Sequence, residues 1–191
     1  MKLMRSAGLV GEDDSPIVPQ TFDELAEMAK TVSEKTGAAG FVFPTTGNGG
    51  GWLFSDISWA YGGELEKKGS DGKWTAALNE ESVINAMVWL KDMKWKYNCM
   101  PANTLLANAD TMKMVGTDQA AMAIAHPGQF GQLVANYGMD PGDIAMVKIP
   151  AGPAKRVTLM GGSYYAIANN ATDEQIEATL KYLKFKGMTT E

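Results

Sequence analysis

The chain holds one cysteine and one histidine in 191 residues. A lone Cys99 excludes an internal disulfide and any cysteine-based zinc site, and reads as a small buried apolar residue. A lone His126 excludes histidine-rich metal centres. It leaves histidine-based catalysis a single candidate, with no sequence-local Asp or Ser partner, so the residue reads as a structural group or a ligand contact. Basic residues are also scarce: 17 Lys and Arg against 22 Asp and Glu give a net charge of −5. With no basic stripe there is no phosphate-binding face, which excludes nucleic acid as a partner. No apolar run has the length needed to cross a bilayer, and the opening MKLMRSAGLVGEDDSP lacks the apolar stretch of a signal peptide. The expectation is either a cytoplasmic protein or an excised piece of a larger one. Catalytic signatures are missing as well, with no GxSxG, Walker A, HExxH or CxxC. Neither a cofactor nor a metal is expected.

What is present is a chain of ordinary globular composition, 45% hydrophobic and 20% charged, long enough for one sizeable core. It is organised around residues 40–63, GFVFPTTGNGGGWLFSDISWAYGG. A short apolar strand (Phe41, Val42, Phe43) leads into a turn rich in glycine (Gly47, Gly49, Gly50, Gly51), where a ligand can approach the main chain closely. An aromatic helix follows and stops at Gly62 and Gly63. A helix starting at a strand end aims its free N–H groups beyond the sheet edge, and Trp52, expected in its first turn, would stand beside them. An aromatic face next to backbone donors suits an uncharged ligand with apolar faces and hydroxyls. The alternative is that Trp52, Phe54, Trp59 and Tyr61 are core. A phosphate loop fits poorly, because Gly47, Gly49 and Trp52 occupy the GxGxxG positions and the third glycine is absent.

Elsewhere, Thr21 with Glu24 makes a capping box for a helix to about Lys35, buried through Phe22, Leu25, Ala29 and Val32 and stopped by Gly37. Residues 64–78 read as a surface hairpin turning at Ser70, Asp71 and Gly72. Asn79 is expected to cap a long helix, residues 80–97, with Val83, Ile84, Met87, Leu90 and Met93 or Lys94 on one side. A shorter helix is expected over residues 103–115 and a buried strand over 119–125. His126, Pro127 and Gly128 then turn into a helix over 129–137 and bring His126, Gln129 and Phe130 to the strand's carboxyl edge. Residues 143–149 and 157–168 read as strands, the second broken at Gly161 and Gly162, a pair that marks a bulge or a close approach by a ligand. Thr172 with Gln175 caps a last helix, with Ile176, Leu180 and Leu183 inward.

Strands alternating with helices indicate an α/β class, a mixed sheet flanked by helices, whose ligands gather at the carboxyl ends of strands. Asn48, Gly50, Trp52, His126, Gln129, Phe130, Gly161, Gly162, Ser163 and Tyr164 are the candidate ligand-binding residues. None is a lysine or arginine, which disfavours phosphate, sulfate or carboxylate ligands and favours a neutral oligosaccharide.

In order, Pro19-Gln20-Thr21-Phe22-Asp23-Glu24-Leu25, the aromatic helix ending Tyr61-Gly62-Gly63, the long helix with Lys91-Asp92-Met93, GTDQAAM at residues 116–122, and Gly161-Gly162 before Ala166-Ile167 form a series. That series resembles the extracellular solute-binding proteins of ABC transporters, in the branch that includes maltose-binding proteins. The resemblance implies a periplasmic-binding-protein-like type II fold, with residues 1–191 forming a single α/β lobe, mostly the second of two. It implies a solute-binding component of an uptake transporter, not an enzyme, holding its ligand between lobes and working with permease subunits. The full-length protein would be exported and often lipid-anchored at the cell surface or in the periplasm. Counting back from Gly62 places Trp52 at the family's sugar-stacking position. The family's G-x-W after the A-A-M strand is replaced here by His126 to Phe130, with Phe130 the nearest aromatic. Two alternatives remain: a glycoside hydrolase using Asp56 and Glu64, whose spacing fixes no pair, and a self-contained protein-interaction domain.

Overall fold

A computed structural model describes residues 1–162 and 164–188. The chain divides into two compact units, Met1–Leu159 and a second from Met160 onward.

In the first unit, α1 (Lys2–Ala7), which sequence reading did not foresee, ends at Gly8 in the left-handed conformation (φ 72°). Next comes α2 (Phe22–Thr36), started where expected: Thr21 Oγ1 accepts from Glu24 N at 3.1 Å, and the Glu24 carboxylate accepts from Gln20 N at 2.7 Å. Its foreseen stripe, Phe22, Leu25, Ala29 and Val32, is buried. Strand β1 (Ala39–Val42) follows and leads to α3 (Gly47–Ala60). The glycines expected to form a loop are therefore the first turn of α3, and Trp52 lies in the second turn, not the first. Beyond α3, β2 (Glu66–Lys68) and β3 (Trp74–Ala76) make the foreseen hairpin, exposed throughout.

Helix α4 (Glu81–Trp95) is entered from Glu80, without a side-chain cap from Asn79. Its buried face is Val83, Ala86, Trp89 and Met93, whereas Ile84 and Met87, expected inside, are exposed. The helix is apolar on more than one side, so helical spacing alone selects no single stripe. Then come α5 (Asn108–Gly116), β4 (Ala120–Ala123) and α6 (Gly128–Tyr137). Helix α5 is shorter than expected because residues 104–107 remain outside it, with Leu106 accepting main-chain hydrogen bonds from Thr45 and Thr46 at 2.8 and 3.0 Å.

Strand β1 pairs in parallel with β4, Ala39 opposite Ala120 and Val42 opposite Ala123. On its other side Phe41 N donates to Cys99 O at 3.0 Å. The core lies where α2, α3 and α4 meet this strand. Trp89 packs edge-on against Phe22 and Phe41, with centroids 4.8 and 6.0 Å away, and its indole N–H donates to Phe22 O. Gly40 is required at the contact between β1 and α2, since a Cβ there would lie 1.8 Å from Ala29 O. Cys99 is fully buried as expected, and burial pushes its thiol up to about 12.

Residues 144–149 form no strand; a 3-10 turn (Pro141–Asp143) precedes them. The chain then crosses the start of α2, where Ala151 makes a single parallel bridge with Thr21, and wraps the end of α3, where Ala60 O accepts from Ala154 N and Lys155 N. Nor is a strand formed by the described residues of 157–168. An extended apolar segment becomes a strand only where a neighbour supplies a hydrogen-bonding ladder, which local sequence does not record.

In the second unit, α7 (Asp173–Phe185) begins with the foreseen capping box, Thr172 and Gln175 each accepting the other's main-chain N–H. Ile176 and Leu183 are half-buried, Leu180 is exposed, and no residue of α7 is buried, contrary to the expected inward stripe. So short a segment offers no core of its own.

Candidate functional site

The parallel pairing of β1 and β4 fixes the direction of everything that follows them. Their carboxyl ends share one edge of the sheet, and three residues past the last paired positions, Val42 and Ala123, stand Thr45 and His126. Just beyond them begin α3 at Gly47 and α6 at Gly128. Both helices thus start from one edge, but in α6 the Gln129 and Phe130 N–H groups already donate to His126 O and Pro127 O, so the free first-turn N–H groups on that side belong to α3. Thr45 and Thr46 are tied down by Leu106 O, and the Thr45 hydroxyl donates to Thr104 O. Gly47 takes a left-handed φ of 64° at the bend.

On α3, Asn48 and Trp52 are four apart, share one helix face and are both exposed, Trp52 by 48%. The indole therefore offers an open flat surface near the helix start. Gly50 is buried against the preceding turn, where a Cβ would sit 2.7 Å from Pro44 O. At the second helix start His126 is exposed. Gln129 is buried and closes the turn: its Oε1 accepts from His126 N at 2.9 Å while its own N–H donates to His126 O. Phe130 is half-buried.

Asn48, Gly50 and Trp52 lie at the start of α3, and His126, Gln129 and Phe130 at the start of α6, both at the carboxyl edge of β1 and β4 in the first unit. Gly161, Gly162 and Tyr164 belong to the second unit, where all three are exposed. Ser163 lies outside the described residues. Sequence reading missed Asn108, the first residue of α5, whose side-chain amide lies against Gly49. The signal available was Ala107-Asn108-Ala109-Asp110, a helix start in which Asp110 caps Ala107 N at 2.9 Å.

Asp56 and Glu64, the carboxylates of the hydrolase alternative, have different surroundings. Asp56 is buried on α3 and accepts the Leu159 main-chain N–H, whereas Glu64 is exposed beyond the helix. Desolvation holds the Asp56 carboxyl above its ordinary 3.8, more than the Leu159 hydrogen bond lowers it. A folded-state value above the unfolded one makes this group's contribution to stability complete below 3.8 and lost as pH rises through the folded value. Asp56→Asn keeps an acceptor for Leu159 without the buried charge. Urea titrations across pH are expected to show the variant more stable near neutrality and with a smaller change in stability over that acidic window. A less stable variant at pH 7 would contradict this role.

A concavity of about 670 Å³, bordered by Gly37, Ala39, Asn98, Met114 and Gln119, lies at the opposite, amino-terminal edge of the strands. It contains none of the candidate residues. Among the described residues no His, Cys, Asp and Glu cluster capable of holding a metal ion occurs, and no helix is long and apolar enough to cross a membrane.

The chain belongs to the family described as bacterial extracellular solute-binding protein, whose model matches residues 1–188. Among solved structures it is similar to the maltose-bound MalE3 of T. maritima, with TM-score 0.76 and 24% identity, over 96% of this chain and 45% of that one. An ABC transporter solute-binding protein of Thermotoga lettingae TMO bound with α-D-tagatose gives TM-score 0.73 and 23% identity, over 97% of this chain and 49% of that one. The maltose/maltodextrin-binding domain MalE of Bdellovibrio bacteriovorus, bound to maltotriose, gives 0.65 and 22%, over 91% and 44%. No curated protein sequence matches. The chain spans about half the length of these structures or less, and at these identities the likeness establishes the fold. The family and these neighbours are binding proteins.

Proposed function

We propose that this chain is a large part of the carbohydrate-binding component of an ABC uptake transporter. It would hold a neutral oligosaccharide in a cleft between two lobes, and residues 1–191 would form one lobe. The observation that carries this reading is the shared carboxyl edge of β1 and β4, from which α3 and α6 both start and beside which the Trp52 face is open. An indole face holds the apolar side of a sugar ring, while helix-start N–H groups and the Asn48 amide serve hydroxyl oxygens. The first-unit candidates contain no lysine or arginine, which disfavours a charged anion there. His126 and Phe130 supply a second polar and aromatic wall, and Gly161, Gly162, Ser163 and Tyr164 remain candidates on sequence grounds. Sugars named for the neighbouring structures, maltose and maltotriose among them, agree with this ligand class.

In this reading the protein makes and breaks no covalent bond, and it delivers its ligand to permease subunits from the periplasm or the cell surface, held by a lipid anchor. Buried Asp56 and exposed Glu64 do not favour the glycosidase alternative. Small-ligand affinity rests on near-complete enclosure, so the 191-residue chain alone is expected to bind weakly and the protein expressed from its complete reading frame to bind well. Calorimetric titration of both forms against maltose, maltotriose, amino acids and polyamines tests this. Tight binding of a polyamine and of no sugar would overturn the carbohydrate assignment, and turnover of any sugar would overturn the binding-only role.

A further inference from the structure

We propose that Asn108 is a specificity-determining residue of this site, its amide reading hydroxyls of the sugar ring that lies on Trp52; the inference rests on the carbohydrate reading above. Asn108 lies 56 positions beyond Trp52 in the chain yet meets α3 at Gly49, in the turn before Trp52. A Cβ on Gly49 would fall 2.5 Å from the Asn108 amide nitrogen and 2.7 Å from its oxygen, so the absence of a side chain at 49 is what leaves room for the amide. Gly49 and Trp52 are three residues apart on one helix and so share a face. Helical side chains lean toward the helix start, which brings the Trp52 ring over the turn containing Gly49.

Gly49, which the amide meets, and Trp52 thus lie on one side of α3, close to its free N–H groups. Asn108 is itself exposed, and its amide makes no hydrogen bond among the described residues. It is anchored by its main chain, as the first residue of α5, with Asn108 O accepting from the Thr111 hydroxyl at 2.8 Å. A planar group with two donors and an acceptor can engage adjacent hydroxyls of a sugar, each of which both donates and accepts. A flat apolar face beside such a group reads both the ring and its substitution pattern.

Gly49 allows a test that leaves Asn108 in place. Ala at 49 would displace the amide, and the displacement is cheap because the amide is the end of a flexible exposed side chain. The protein from the complete reading frame would be titrated with maltose, maltotriose and α-D-tagatose as unsubstituted protein, Asn108→Ala, Gly49→Ala and the double variant, with thermal midpoints recorded. Asn108→Ala and Gly49→Ala are each expected to weaken binding of the preferred sugar about 5- to 20-fold and to narrow its margin over the others. Thermal midpoints should stay within a few degrees, and the double variant should bind no more weakly than Asn108→Ala. Affinity within twofold of the unsubstituted protein in Asn108→Ala, or fully additive losses in the double variant, would overturn the assignment while leaving the carbohydrate reading intact. Failure of the unsubstituted protein to bind any of the three sugars would overturn that reading, and this inference with it.

Discussion

Gly40→Ala is expected to be among the most destabilising single substitutions in the first unit, by about 3–5 kcal/mol. The added methyl carbon would lie 1.8 Å from Ala29 O, 2.4 Å from Ala29 C and 2.6 Å from Ala29 Cα. All three are main-chain or Cα atoms of a helix whose inner face is already packed, so no side chain can rotate away. Helix α2 would have to move off β1 by more than an ångström, parting Phe22, Leu25 and Ala29 from the cluster around Phe41 and Trp89. Close-packed interiors lose dispersion contacts steeply with such a gap. The matched control is Gly131→Ala in the middle of α6, where a Cβ meets nothing within 4 Å. It should be neutral or stabilising by up to about 1 kcal/mol through helix propensity. Urea midpoints of the two variants would decide. A Gly40→Ala protein within 1 kcal/mol of the unsubstituted one would mean that α2 does not lie on β1 as described.

The second large effect concerns ligand. In the protein from the complete reading frame, Trp52→Ala is expected to weaken binding of the preferred sugar by about 2–3 kcal/mol, roughly 30- to 150-fold. The half-exposed ring belongs to no described core cluster, so the thermal midpoint should change little. Binding loss without stability loss separates a ligand face from a core residue, the two readings that sequence left open. Trp52→Phe retains a smaller face and should fall between. If Trp52→Ala left affinity unchanged, the stacking role would be lost even if the protein bound sugar.

How much of this was legible in the residues depended on whether the cause was local. Thr21 and Thr172 announced the starts of α2 and α7, because a cap and its partner lie within one turn. The glycine stretch at 47–51 was misread as a loop: glycine's weak helix propensity was outweighed by the context of α3, and Gly50 fits there by its close approach to Pro44 O. On α4 the apolar residues outnumber one face, so helical spacing that includes Ile84 and Met87 fits as well as the side that is buried through Ala86 and Trp89. The strands expected at 143–149 and 157–168 had apolar sequence without a ladder partner. The two helix starts at one edge were foreseen from strands that run into glycine-containing turns. Asn108 was not, since its place depends on a long-range contact with Gly49 that no spacing rule encodes.

A crystal structure of the protein from its complete reading frame with its preferred sugar would test the central claim most directly. The account predicts a sugar ring within about 4 Å of the Trp52 indole, with hydroxyl oxygens toward the first-turn N–H groups of α3. A ligand seated instead in the concavity at the amino-terminal edge of β1 and β4, or on the first unit with no contact to Trp52, would contradict it.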